Sequence, residues 1–447
     1  MELTQAKSSP KVIPEHKDVI TFKGLNRLPK INPGELKAMK NLSSMYPGCI
    51  YPRPPRSVVS TLTSGTALFS TNNLKLCWVD GTGFYYDGVL KGAVTAGAKS
   101  MVDLGGYVLI FPDKKYYNYL TSTFGIVGNG TAPVDGEAPT AGQCPDMDMI
   151  CIFNNRVWGM KNQTMYGSKF NDPMVWSQFS VPLLENDSVY FKVSSERGNL
   201  VGMIPLENHI VFTTKNSSYE LYGTKPSNYI PRLVSQNKGC IDYKSMVEID
   251  GSVFILSATG INEYSGSYPR PVSYILNEKY VSGKAGTDGT KYYISLYNGT
   301  AYTLYVYDTM FNLWHVEDDL NVLDFTLMDG SLYALASDNK IYRFNYGTEV
   351  FSWEGYTDRL TEEYMGKKAT SKIKVEAEIE TGGSIAVWLS IDGGTYTLAS
   401  MLNTVGYRFF KLDFIPQDAF YFQIKFVGTG IAKIYSITRE LIISSDM

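Results

Sequence analysis

The stretch CPDMDMIC, Cys144 to Cys151, places two carboxylates and two thiols within eight residues. Asp146 and Asp148 stand two apart, which on a strand puts them on one face. A glycosidase needs two carboxylates flanking a cleft, and neighbours on one strand face flank nothing. Thiolate and carboxylate suit different metals, and no histidine joins them. The three histidines, His16, His209 and His315, are far apart and none is grouped with a Ser or Cys nucleophile. DGTGFYYDG, Asp80 to Gly88, lacks the Gly-Lys-Ser/Thr ending and the strand-to-helix context of a phosphate loop, so it reads as a turn. These residues predict no catalytic, cofactor-binding or metal-binding site, and a protein that is not an enzyme.

Two further features invite a sugar-related reading. SIDGGTYT, Ser390 to Thr397, follows the outline of the Asp-box of sialidase propellers, where it is a hairpin-stabilising turn. Here it lies outside the repeated part of the chain, and a structural turn is expected. The 33 tyrosines suggest a sugar platform or base stacking. At alternating strand spacing they are expected to pack inside the fold.

The elements that carry these residues are strands. Aromatic residues make up 13% of the 447, and Tyr, Val, Ile, Phe and Thr suit a pleated, half-buried surface. SMVEIDGSVFILSATGINEYSG, Ser245 to Gly266, reads as strand, Asp-Gly turn, strand, second turn and aromatic strand. The same unit recurs, with first turns near residues 72, 105, 154, 207, 250, 288 and 329. That step is close to the ~40 to 50 residues of a propeller blade. Stacking such units around an axis covers the edges and apolar faces that one unit leaves open. Residues 58–350 therefore predict a β-propeller of seven blades, or six if the long insert at Gly125 to Pro145 interrupts the count.

The flanks differ. Residues 1–57 read as an N-terminal arm with one short helix, Asn32 as N-cap, Pro33 at the first position and Glu35 at the third. Residues 351–447 carry alternating segments such as KIKVEAEIET and AFYFQIKFVG, the pattern of an antiparallel β-sandwich. The expected fold is all-β throughout. The net charge of −3 is uneven: Met1 to Arg56 holds ten basic and four acidic residues, +6, leaving about −9 on the remainder. Five cysteines without a C-x-x-C pair argue against a disulfide framework or zinc knuckle and point to assembly in a reducing cytoplasm. MELTQAKSSP has no apolar h-region, so the Asn-x-Ser/Thr triplets read as turn chemistry. No apolar run approaches the ~18 residues of a membrane helix, and no membrane anchoring is expected.

The N-terminal segment carries Gly24, Leu25, Asn26, Pro29, Pro33, Gly34, Glu35, Asn41, Leu42, Tyr46, Pro47, Gly48 and Arg53. Followed by a propeller and a sandwich, it resembles bacteriophage tail proteins, in particular the packaged-DNA stabilisation and tail-nozzle family of short-tailed phages. The resemblance implies a structural virion protein without cofactor: a homo-oligomeric ring, expected as a hexamer, on the portal or adaptor and other tail proteins, enclosing the DNA non-specifically. It would be assembled in the bacterial host cytoplasm. The arm's cations, Lys7, Lys11, Lys17, Lys23, Arg27, Lys30, Arg53 and Arg56, are then the candidates for the assembly interface. The other function left open is a carbohydrate-binding, receptor-recognising propeller of the tail tip.

Overall fold

At Asp250-Gly251 both residues have positive φ, 49° and 79°, the backbone that a two-residue turn needs to match the twist of its strands. The strands Val247–Ile249 and Ser252–Ser257 pair across it, Ile249 opposite Ser252. Gly105-Gly106, Asn154-Asn155 and Asp329-Gly330 repeat the positive-φ pair at the corresponding turns. Glycine, Asn and Asp occupy these positions because other side chains are strained there.

The computed structural model describes residues 15–193, 197–361, 366–413 and 417–443. Two units are distinguished: Pro54–Asn312 with Asp318–Glu349, and Met1–Arg53 with Leu313–Glu317 and Val350–Met447.

The larger unit is a β-propeller of seven blades. Their first strands begin at Gly65, Ser100, Met149, Leu200, Val247, Ser282 and Val322, and each blade is an antiparallel meander. The insert after Ile126 is an excursion between the second and third blades and does not remove one. The seventh blade takes its outer strand from the start of the unit: Ser57–Thr61 pairs with Lys340–Arg343, Ser57 opposite Arg343. This closes the ring with backbone bonds between sequence-distant segments, which removes the open edge of the last blade.

The core lies between successive blades. Phe84, Val108, Ile110 and Tyr117 fill the first junction, and Trp158, Met160, Phe212 and Leu221 the third. Leu68, Tyr333, Leu335 and Ile341 join the seventh blade to the first. Many of the tyrosines are spent here: Tyr117, Tyr264, Tyr292 and Tyr305 are fully buried, and Phe254 stacks on Tyr292 at 5.2 Å.

The smaller unit is a sandwich of two antiparallel sheets. One runs in the order Glu15–Val19, Ala432–Ile443, Lys368–Ile379, Gly406–Asp413; the other Leu36–Lys40, Ser352–Thr357, Phe422–Thr429, Ser384–Ile391, Thr397–Leu402. Alternation fixes the inner faces, with Ile373, Val375, Ala377 and Ile379 buried on one and Phe422, Ile424 and Phe426 on the other. The N-terminal segment is thus no separate arm where it is described. It supplies an edge strand to each sheet.

The expected helix at Asn32 to Glu35 is absent. Pro33-Gly34 forms a turn, with Gly34 at φ 94° and the Glu35 N–H donating to the Asn32 carbonyl at 3.1 Å. The Glu35 carboxylate accepts from the Asn32 N–H at 2.7 Å, the back-bond of a capping box, but the chain leaves as the strand Leu36–Lys40. Tertiary pairing with Ser352–Thr357 decides against helix.

Candidate functional site: the N-terminal segment

From Glu15 to Arg53 the segment is held by particular side chains. Gly24 has φ 78°, and a Cβ there would stand 2.5 Å from the Trp314 carbonyl oxygen; the next N–H, of Leu25, donates to that oxygen at 2.7 Å. Asn41, at φ 55°, donates from Nδ2 to the Ser352 carbonyl at 2.7 Å and accepts from Arg53 Nε at 2.8 Å. The Arg53 guanidinium lies 4.0 Å over the Phe351 ring. A small cavity of about 30 Å³, room for about one water, is lined here by Phe22, Met39, Cys49, Tyr51 and His315 among others.

The candidate interface cations do not form one group. Lys7 and Lys11 lie outside the described residues. Lys17 pairs with Glu15 at 2.7 Å in the edge strand. Lys23 and Lys30 are exposed and Arg27 is half-buried, all three in the connection between the first two sandwich strands. Arg53 and Arg56 are corrections to the expectation, being buried at 4% and 8% exposure. Arg56 pairs with Asp318 at 2.7 Å and covers the Phe344 ring at 4.5 Å. A guanidinium stacked on an aromatic ring and hydrogen-bonded inside its own chain holds the fold together and offers nothing to a partner.

The chemistry-bearing residues elsewhere are engaged within the chain. Asp146 and Asp148 precede the strand Met149–Phe153 instead of sharing its face, and they pair with Lys114 at 2.7 Å and Lys161 at 2.6 Å. Burial pushes the thiols of Cys77, Cys144, Cys151 and Cys240 up, those of Cys151 and Cys240 to about 12, so they stay protonated and poorly nucleophilic at neutral pH. Asp392 turns the SIDGG hairpin at φ 47° and accepts from the Phe420 and Tyr421 N–H groups at 2.8 and 3.0 Å, a structural turn. Among the described residues no three His, Cys, Asp or Glu side chains are placed to hold a metal.

Two polar clusters escaped the sequence reading. The His209 Nε2 lies 3.4 Å from the Tyr264 hydroxyl, which donates to Glu220; all three are buried. Lys244 reaches Asp324 and Lys284 reaches Asp242, each at 2.6 Å. Lys244 precedes the fifth blade and Asp324 sits in the first strand of the seventh. Burial first, then the carboxylates of Asp324, Asp242 and Asp148, pushes the Tyr243 phenol up. The partners are 80 and 42 residues apart in sequence, so no local signal marks them.

No family model matches the chain, and no curated protein matches it. Among solved structures it is similar to the extracellular domain of the putative one component system BT4673 from B. thetaiotaomicron, at 13% identity and a TM-score of 0.44, over 78% of this chain and 44% of that one. It is similar to YCF48 bound to D1 peptide at 11% identity and 0.44, over 66% and 98%. The N-terminal domain of Nup159 matches at 8% identity and 0.37, over 66% and 95%. The chain thus spans less than half of the BT4673 domain.

Proposed function

We propose that the chain is a structural protein of a bacteriophage tail, forming a homo-oligomeric ring on the portal or adaptor around the DNA exit channel. The observation that carries this reading is the use made of the N-terminal signature. Gly24, Gly34, Asn41 and Arg53 are the residues whose backbone or side chain locks the segment into the sandwich. A signature of framework residues is what a scaffold requires, whereas a catalyst would place reactive groups in a cleft. Under this reading DNA passes through the ring of copies. Within one copy the Lys244–Asp324 pair ties the segment before the fifth blade to the first strand of the seventh.

The test is the chain's place in virions. Particles probed with an antibody to this chain should be labelled as a ring below the head, and particles lacking it should lose packaged DNA. Particles that lack the chain yet retain DNA and fail only to adsorb would overturn the reading in favour of a receptor-binding propeller. Exposed Tyr268 and Tyr274 beside the fifth blade, at 57% and 66%, are the faces that would then meet a glycan.

A further inference from the structure

Among the described residues, both edges of one sandwich sheet are unpaired. The path begins at Glu15–Val19, which there pairs with Ala432–Ile443 alone, and ends at Gly406–Asp413, which there pairs with Lys368–Ile379 alone. Gly406–Asp413 is long for an edge, at eight residues, and it exposes Tyr407 at 54% and Phe409 at 68% beside the charges of Arg408, Lys411 and Asp413. An exposed edge of that length with aromatic side chains can template another strand, and its charges select which one.

We infer that the occupant is the Glu15–Val19 strand of a second copy of this chain, so that the sheet continues from copy to copy. Three observations select it. The first is direction. Glu15–Val19 is antiparallel to Ala432–Ile443, that strand to Lys368–Ile379, and that one to Gly406–Asp413. The two edge strands therefore run in opposite senses, and a copy placed beside another in the same orientation extends the antiparallel alternation without a break.

The second is the match of faces. Arg408, Phe410 and Leu412 stand opposite the buried Ala377, Val375 and Ile373, so they belong to the inner face. Val19 stands opposite buried Ile437 and belongs to the inner face of its own edge. Setting Val19 against Phe410 of the neighbour keeps both inner faces aligned.

The third is charge. That register sets exposed Asp18 against exposed Lys411, and His16 against Asp413. The present Lys411–Asp413 contact, at 3.3 Å with both side chains more than half exposed, is weak and exchangeable.

The contact is heterologous, using two different surfaces of each copy, and so builds a ring where the rotation closes. It rests on the ring assembly proposed above for its closed form, and it adds the site and the segment. It also gives the N-terminal segment an assembly role through its strand edge, not through Arg53 and Arg56.

The test is cysteine trapping in the full chain, with Asp18→Cys and Lys411→Cys together and singly. Within one copy these positions lie on opposite sheet edges, three strand spacings or ~14 Å apart, beyond the ~7 Å Cα separation a disulfide spans. Oxidation of the concentrated double variant should give a ladder past the dimer, and each single variant should remain at the level of the unsubstituted chain. A Lys411→Cys single variant that dimerises as fully as the double variant would overturn the proposal in favour of edge-to-edge pairing by a two-fold axis. A folded double variant that never ladders would overturn it outright. A ladder from a chain absent from virions would sink the tail reading alone, and a ring in virions built from a chain that does not ladder would sink this one alone.

Discussion

At the scale of single residues, backbone conformation and burial set the costs. Gly251 has φ 79° and open space around its missing Cβ, so Gly251→Val meets only backbone strain, about 1 to 3 kcal/mol. Gly24→Ala adds a collision with the Trp314 carbonyl to a φ of 78° and should cost more. Denaturant midpoints of the two variants check the order, and an unchanged midpoint for Gly251→Val would count against the turn. His209 gives a pH dependence. Burial lowers its imidazole below the ordinary value, with the Glu220 carboxylate opposing. As pH falls below about 6.5, the unfolded chain takes up a proton that the folded one does not, so stability should decline. His209→Gln should flatten the stability profile as pH falls below roughly 6.5; a slope as steep as that of the unsubstituted chain would contradict this.

At the scale of elements, the strand Ser57–Thr61 is the closure of the ring. It exposes Val58 and Val59 at 51% and 49%, so its contribution is the ladder to Lys340–Arg343 more than burial. Deleting Ser57 to Thr61 should leave the seventh blade with an open edge, lower the melting temperature and admit protease between the first and seventh blades. Melting and limited proteolysis at the level of the intact chain would argue that closure lies elsewhere. The sequence made the blades legible because each is local: all seven first turns fall in the expected places, six of them signalled by Asp-Gly, Gly-Gly or Asn-Asn and the fourth by Glu207-Asn208. It hid whatever pairs over distance. Glu15 opposite Leu441 is a contact across almost the whole chain, and neither strand announces the other. The helix at Asn32 failed for the same reason, since a capping pattern is local and the pairing of Leu36 with Thr357 is not. Arg53 and Arg56 looked like exposed cations because composition does not report the rings and carboxylates that bury them.

At the scale of the molecule, the sandwich is assembled from three stretches of chain while the propeller is nearly continuous. Pro54–Glu349 contains the closing strand Ser57–Thr61 and the clusters between blades, including the junction of the seventh with the first. It should therefore fold alone, with one cooperative transition. Val350–Met447 contains the sandwich strands from Ser352–Thr357 onward but lacks Glu15–Val19 and Leu36–Lys40. Without them Ala432–Ile443 and Ser352–Thr357 become new edges, and Trp353, buried at 1%, loses the neighbouring strand. Alone, this fragment should aggregate through its unpaired edges, and Met1–Arg53 added in trans should restore solubility by supplying both strands. Sedimentation of the C-terminal fragment with and without the N-terminal peptide decides the point. A Val350–Met447 fragment that is monomeric and melts cooperatively by itself would show that the N-terminal strands are additions to a complete sandwich. They would then be released for pairing with a neighbour at little cost, and the proposed strand addition would take place by exchange of the N-terminal segment instead of by extension of an intact sheet.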